Sequence, residues 1–154
     1  MSQIDVIVEQ LKLAFDGEAW HGPALMEILH GIDANKAAAH SISGAHSIWE
    51  LVLHVAAWEQ VITRRITRGE AITLSDEQNF GHIEQATEAK WREAVETLRR
   101  NHSELIKTVS SLPESGLNNG VPGKPYNVLS MLLGAVQHAA YHGGQIALLK
   151  SSQS

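Results

Sequence analysis

His138 and His142 stand four residues apart in a stretch whose apolar positions step at helical intervals. On a helix their rings rise from one side, about one turn apart, the spacing by which two histidines share a metal ion. Ala139, Ala140 and Tyr141 lie between them, so the general-base glutamate of the zinc-protease helix is missing. The stripe Met131, Ala135, His138, His142, Gln145, Leu149 sets two imidazoles and an amide between apolar ends. A row of buried polar groups needs partners. Either a metal ion supplies them, or the two are core histidines bonded to backbone and neighbours.

His54 is the best third ligand. It lies three residues after Leu51 and four before Trp58, in an apolar stretch of Leu53, Val55, Ala56 and Ala57. A lone histidine there is ordinarily a satisfied core residue. Facing a two-histidine helix in one bundle, it completes a three-ligand set, and bundle cores are where such sites are built. Three neutral imidazoles leave a divalent ion its full charge, so water in an open position is acidified and a coordinated thiol loses its proton. Three ligands with a vacancy describe a catalytic rather than a structural site. The chain has no cysteine, which excludes disulfides, thiolate zinc sites and a cysteine nucleophile. Any thiol must come from a small-molecule cosubstrate.

The nine histidines leave six others. His102 is a rival ligand or a polar residue setting helix register. His46 precedes a long helix and could cap it, and His21, in the turn Trp20-His21-Gly22-Pro23, could line a pocket. His30, His40 and His82 fall near helix ends or loops and read as surface residues. Glu50, one turn before His54, could bind the second ring nitrogen of that histidine or be a solvated acid in a helix's first turn. Gly143 and Gly144, at about 1 kcal/mol each against alanine, join Gly134, Ala135, Ala139 and Ala140 in a thin helix that neighbours could approach closely.

The elements that must carry these residues are helices. Ile4, Val8, Leu11 and Phe15 share one face of a first helix, and a short piece begins near Pro23 and runs through Leu25, Ile28 and Leu29. A long helix spans about Ser47 to Arg68, with Ile48, Leu51, Val55, Trp58, Ile62 and Ile66 on its apolar face and Gly69 as its stop. From about Gln85 to Ser111, Trp91, Val95, Leu98, His102, Leu105, Val109 and Leu112 form a bundle seam. Residues 113 to 125 hold three prolines and three glycines and read as a loop. Asn127 then caps a last helix reaching about Lys150. No alternating run suggests a sheet, so the expected fold is an all-α four-helix bundle, one domain over residues 1–154.

Composition narrows the function. With 44% hydrophobic and 19% charged residues, the chain is expected to be soluble and globular. Twelve basic against seventeen acidic side chains, net −5 and without a basic stripe, argue against nucleic acid. No apolar stretch has the roughly 18 residues of a membrane span, and Asp5, Glu9 and Lys12 rule out a signal in the first sixteen residues. A cytoplasmic location is expected.

Three segments resemble one family. His46-Ser47-Ile48-Trp49-Glu50-Leu51, then Val52-Leu53-His54 and Trp58-Glu59, resemble the second helix of the DinB-like (YfiT-like) metalloenzyme superfamily. His138-Ala139-Ala140-Tyr141-His142-Gly143-Gly144-Gln145-Ile146 resembles its last-helix motif, and Asp16-Gly17-Glu18-Ala19-Trp20-His21-Gly22-Pro23 a segment of one branch. The resemblance implies an antiparallel four-helix bundle with a long crossing connection, often a homodimer. It also implies a divalent metal, nickel or zinc for example, on three histidines that map to His54, His138 and His142. Members of the superfamily include thiol S-transferases, thiol-dependent isomerases and proteins described as hydrolases. The first reading has the metal bind a low-molecular-weight thiol as thiolate, which attacks an electrophile. The second puts hydroxide in the open position and needs a general base, for which Glu50, Glu59 and His21 are the candidates. A third is a bundle that binds metal or dimerises without catalysis.

Overall fold

A computed structural model describes all of residues 1–154. Four long helices carry the fold: α1 (Gln3–Asp16), α4 (Ile48–Arg68), α6 (Glu88–Ser110) and α7 (Val128–Ser151). Three helices of five residues, α2 (Leu25–Leu29), α3 (Ala34–Ala38) and α5 (Asp76–Phe80), and a 3-10 turn at Glu114–Asn118 occupy the connections. No strand forms. The protein is an all-α helical bundle, as its periodicity predicts.

Side-chain caps fix where the long helices begin. Ser47 and Glu50 close a reciprocal capping box at the start of α4, and Ser2 with Asp5 does the same for α1. Thr87 caps α6 and Asn127 caps α7. Gly69 ends α4 in the left-handed conformation, at φ 63°, which a residue without Cβ adopts freely.

Helices α1 and α4 each pack against both α6 and α7, so α1 and α4 occupy one diagonal of the bundle and α6 and α7 the other. The connection from α1 to α4, which holds α2 and α3, therefore crosses the bundle. The core divides in two. One cluster joins α2 and α3 to the first half of α4, to α6 through Trp91 and Leu98, and to Ile146 and Leu149 of α7. The other joins α1 to Ile62, Leu105, Val109, Leu117 and the first turns of α7. Along α4, α6 and α7 the buried polar residues Glu59, His102 and His142 fall between the two.

Several sequence expectations need adjusting. On α1 the structure buries Ile7 and Ala14 and leaves Val8 half-buried, because a helix touching two neighbours buries a wider stripe than a single seam. Ala94 likewise takes the buried place of Val95 on α6. Neither α3 nor α5 was foreseen, since one turn of helix is too short for periodicity to register. The region read as a loop contains the 3-10 turn and a bridge between Gly120 and Asn127. The close approach expected at the glycines of α7 is absent: a Cβ at Gly144 or Gly134 would meet nothing within 4 Å, and one at Gly143 would make ordinary contact with Ile28.

Candidate metal centre

His54 on α4 and His138 and His142 on α7 meet between the two helices, with one ring nitrogen from each inside a span of 4.8 Å. Nε2 of His138 lies 3.0 Å from Nε2 of His54 and 3.1 Å from Nε2 of His142. His54 and His142 are buried, and His138 is half-buried.

The far nitrogens settle the tautomers. Nδ1 of His54 lies 2.8 Å from the carbonyl oxygen of Asn79. A carbonyl only accepts, so Nδ1 carries the proton and Nε2 keeps its lone pair. Nδ1 of His142 lies 2.6 Å from Oε1 of Gln145 and donates in the same way. Two lone pairs are thus aimed at His138, whose own Nε2 can offer a proton to one of them. Burial, followed by the neighbouring charges of His142 and His54, pushes the His138 pKa down to about 3. Burial is also the largest influence lowering those of His54 and His142. The cluster is therefore neutral near pH 7, the form in which imidazole binds metals.

This donor set suits a divalent cation. With metal–nitrogen bonds of roughly 2.0–2.1 Å, ligands at right angles stand roughly 2.9–3.0 Å apart, close to the 3.0 and 3.1 Å observed. Two such bonds span at most about 4.2 Å, so capturing an ion requires the widest pair of the cluster to close slightly. The oriented outer nitrogens are the usual support of histidine ligands.

Helix α5, too short for apolar periodicity to reveal it, supplies much of that support. Phe80 stacks on His54 at 4.3 Å and on His46 at 3.7 Å, so it is held between two imidazoles. Trp58 Nε1 donates to the side-chain oxygen of Asn79 at 2.8 Å, fixing the residue whose carbonyl fixes His54. A signal was present: Ser75 and Gln78 form a capping box at the start of α5, a pattern visible as Ser-x-x-Gln. Gln145 lay in the predicted stripe, but its pairing with His142 did not follow from spacing.

The other candidates lie elsewhere. Glu50 accepts from the Ser47 backbone at 2.7 Å and lies 3.5 Å from His46; the place beside His54 belongs to Asn79. The cap of α4 is Ser47 rather than His46. Glu59 pairs with His102 at 3.0 Å, and His102 stacks on Phe15 of α1 at 3.8 Å, so His102 is no rival ligand. His21 is exposed in its turn. None of Glu50, Glu59 and His21 is hydrogen-bonded to the three histidines.

A pocket of about 290 Å³ opens beside the cluster, lined by His138 together with Trp58, Ile62, Arg65, Tyr126 and Gly134 among others. No helix is long and apolar enough to cross a membrane. Comparison with curated proteins and with solved structures returned no match. The family model of the DinB superfamily matches residues 19–146, from the turn before α2 through both histidine-bearing helices, and the chain belongs to that superfamily.

Proposed function

We propose that this protein is a metal-dependent thiol S-transferase, joining a low-molecular-weight thiol to an electrophilic small molecule at a divalent ion, nickel or zinc, on His54, His138 and His142. The observation that carries this reading is the convergence of three neutral imidazole nitrogens with no carboxylate among them. An ion held there supplies a Lewis acid that keeps its full charge and lowers the pKa of a thiol. Asn79 and Gln145 aim the donors of His54 and His142. The pocket beside His138 offers largely apolar walls for the electrophile. A chain without cysteine brings no nucleophile of its own, so the cosubstrate provides it.

A metal-dependent hydrolase ranks second. It needs a general base beside the reacting water, and the candidate acids are engaged with Ser47, His46 and His102 instead.

The test is metal content of tag-free protein beside His54→Ala and His138→Ala, followed by cobalt loading and thiol addition. We expect one equivalent of divalent metal in the parent protein, loss of it in both variants with helicity kept, a sulfur-to-cobalt absorption on adding thiol, and thiol-dependent loss of an electrophile. Metal without the thiol band would return the reading to hydrolysis. Metal with neither activity would leave a non-catalytic metal-binding bundle.

We propose that a second copy of the chain covers the outer face of α7. Leu133, Tyr141 and Leu148 are 47%, 66% and 68% exposed there, eight and seven residues apart on one side of the helix. A homodimer buries this stripe. Light scattering should report a dimer that Leu148→Glu dissociates; a monomeric parent protein would remove the proposal.

A further inference from the structure

Arg65 is the one lysine or arginine among the buried residues, with 4% of its surface exposed. No carboxylate lies within ion-pair distance of it. Glu70, on the following turn of chain, pairs with Arg64 and Arg68 instead. The partners of Arg65 are neutral: the carbonyl of Ile72 at 2.9 Å and the Tyr126 hydroxyl at 3.3 Å. Its Nε is buried with no partner at all. Its guanidinium carbon lies 5.5 Å from the Trp58 ring, a cation–π contact that steers the group without neutralising it. A buried guanidinium without a counter-charge is costly to keep, and holding the chain near Ile72 would need only a neutral donor.

Arg65 also lines the pocket that reaches His138. Trp58 runs between the two, its ring 6.4 Å from that of His138. The rest of the lining is mostly apolar, through Ile62, Met131 and Ala135, with Tyr126 and Ser130 as further hydroxyls. The mobile end of a ligand seated there would lie at the histidines while its far end met a fixed positive charge.

We propose that this pocket takes a small molecule with an apolar body and a carboxylate, anchored by Arg65 and presenting its reactive end to the three-histidine site. The substrate class deepens the S-transferase reading and its catalytic meaning rests on that reading, but the binding does not. Arginine matches a carboxylate through two parallel hydrogen bonds, and it is a binding residue here, remote from the bond being made. The carboxylate can belong to the thiol or to the electrophile.

Binding to metal-free protein separates this claim from the metal chemistry. The probes are 4-phenylbutyrate and its uncharged amide, followed by titration calorimetry. We expect the carboxylate to bind at least tenfold more tightly than the amide. Arg65→Gln, which keeps an amide donor for Ile72, should abolish that preference. Gly134→Leu, which fills the pocket from a helical position with open space around it, should weaken both probes, and it serves if Arg65→Gln does not fold. Equal binding of the two probes, or a preference surviving Arg65→Gln, would overturn the proposal. Once thiol-dependent turnover is established, Arg65→Gln raising the KM of the thiol alone would assign the acid to the thiol, and raising the KM of the electrophile alone would assign it to the electrophile. A carboxylate preference without thiol-dependent turnover would uphold the anchor and sink the S-transferase reading.

Discussion

The carbonyl of Asn79 accepts the Nδ1–H of His54 at 2.8 Å across 25 residues of sequence. That one bond fixes which nitrogen of His54 is free to bind a metal, and it comes from a helix of five residues. Trp58, one turn beyond His54 on α4, holds the Asn79 side chain, and Phe80 covers the imidazole face. The candidate ligand on a long helix is thus set by a short one docked against it.

Gly81 is what lets α5 dock. Its φ of 72° and ψ of −174° belong to a region that other residues enter at a cost of order 1–3 kcal/mol. A Cβ built there would stand 2.5 Å from Cδ1 of Leu53. Gly81→Ala should therefore displace Asn79 and Phe80 while leaving α4, α6 and α7 folded. Metal affinity, read by chelator competition, should fall by roughly 10–100-fold with little change in far-ultraviolet circular dichroism. Undiminished affinity would mean that the Asn79 contact does not orient His54.

The parts of this arrangement legible in the sequence are those that repeat. The long helices announce themselves through apolar spacing and capping residues: Ser47 and Gly69 delimit α4, and Asn127 opens α7. His138 and His142 share a face by arithmetic alone, and the buried stripe around His54 pointed to the same interior. Contacts between elements were not legible. Glu50 sits at the right helical offset to reach His54, yet a nearer partner, the Ser47 backbone, captures it. Asn79 reaches His54 through its main chain, and a backbone carbonyl leaves no mark in residue identity. Arg65 looks like any charged residue near a helix end, and only its burial without an anion sets it apart.

Glu50 gives a direct test of the distinction between cap and site. Its carboxylate accepts from the Ser47 backbone at 2.7 Å while Ser47 Oγ accepts from the Glu50 backbone at 3.2 Å. Ser47→Ala and Glu50→Ala should each lower stability by about 1 kcal/mol in chemical denaturation. Both should bind metal as the parent does. A large loss of metal affinity in Glu50→Ala alone would restore the carboxylate to the site.

Acid should weaken the metal-free protein through the histidine cluster. In the fold His138 resists protonation down to about 3, against 6.5 for the unperturbed ring, and His54 and His142 shift in the same direction. These are bases that the fold prefers neutral, so their contribution is complete above 6.5. As pH falls below that value the unfolded chain takes up protons first, and stability drains away towards the folded pKa. The urea midpoint should drop between about pH 7.5 and 5, a window that lies above most carboxylate titrations. His138→Gln should flatten that dependence. A pH dependence left unchanged by His138→Gln would show that this histidine protonates as readily folded as unfolded.

Glu59 and His102 make a buried pair between the two core clusters, 3.0 Å apart, and each has one nitrogen or oxygen left without a partner. Burial pushes the Glu59 carboxyl up, opposed by the hydrogen bond and charge of His102. An acid whose pKa is raised in the fold contributes fully below its unfolded value, near 4.5, and that contribution is lost as pH rises through the folded pKa. Glu59→Gln keeps a hydrogen-bonding group beside His102 and does not titrate. Its stability relative to the parent should therefore grow with rising pH and level off, with a gain of about 1 kcal/mol or more at the alkaline end. His102→Leu acts the other way, leaving the carboxylate buried without its partner, and should destabilise by roughly 3–5 kcal/mol. Denaturation curves for the three proteins across the range decide the matter. A constant difference between Glu59→Gln and the parent at every pH would mean that Glu59 ionises in the core as it does in water.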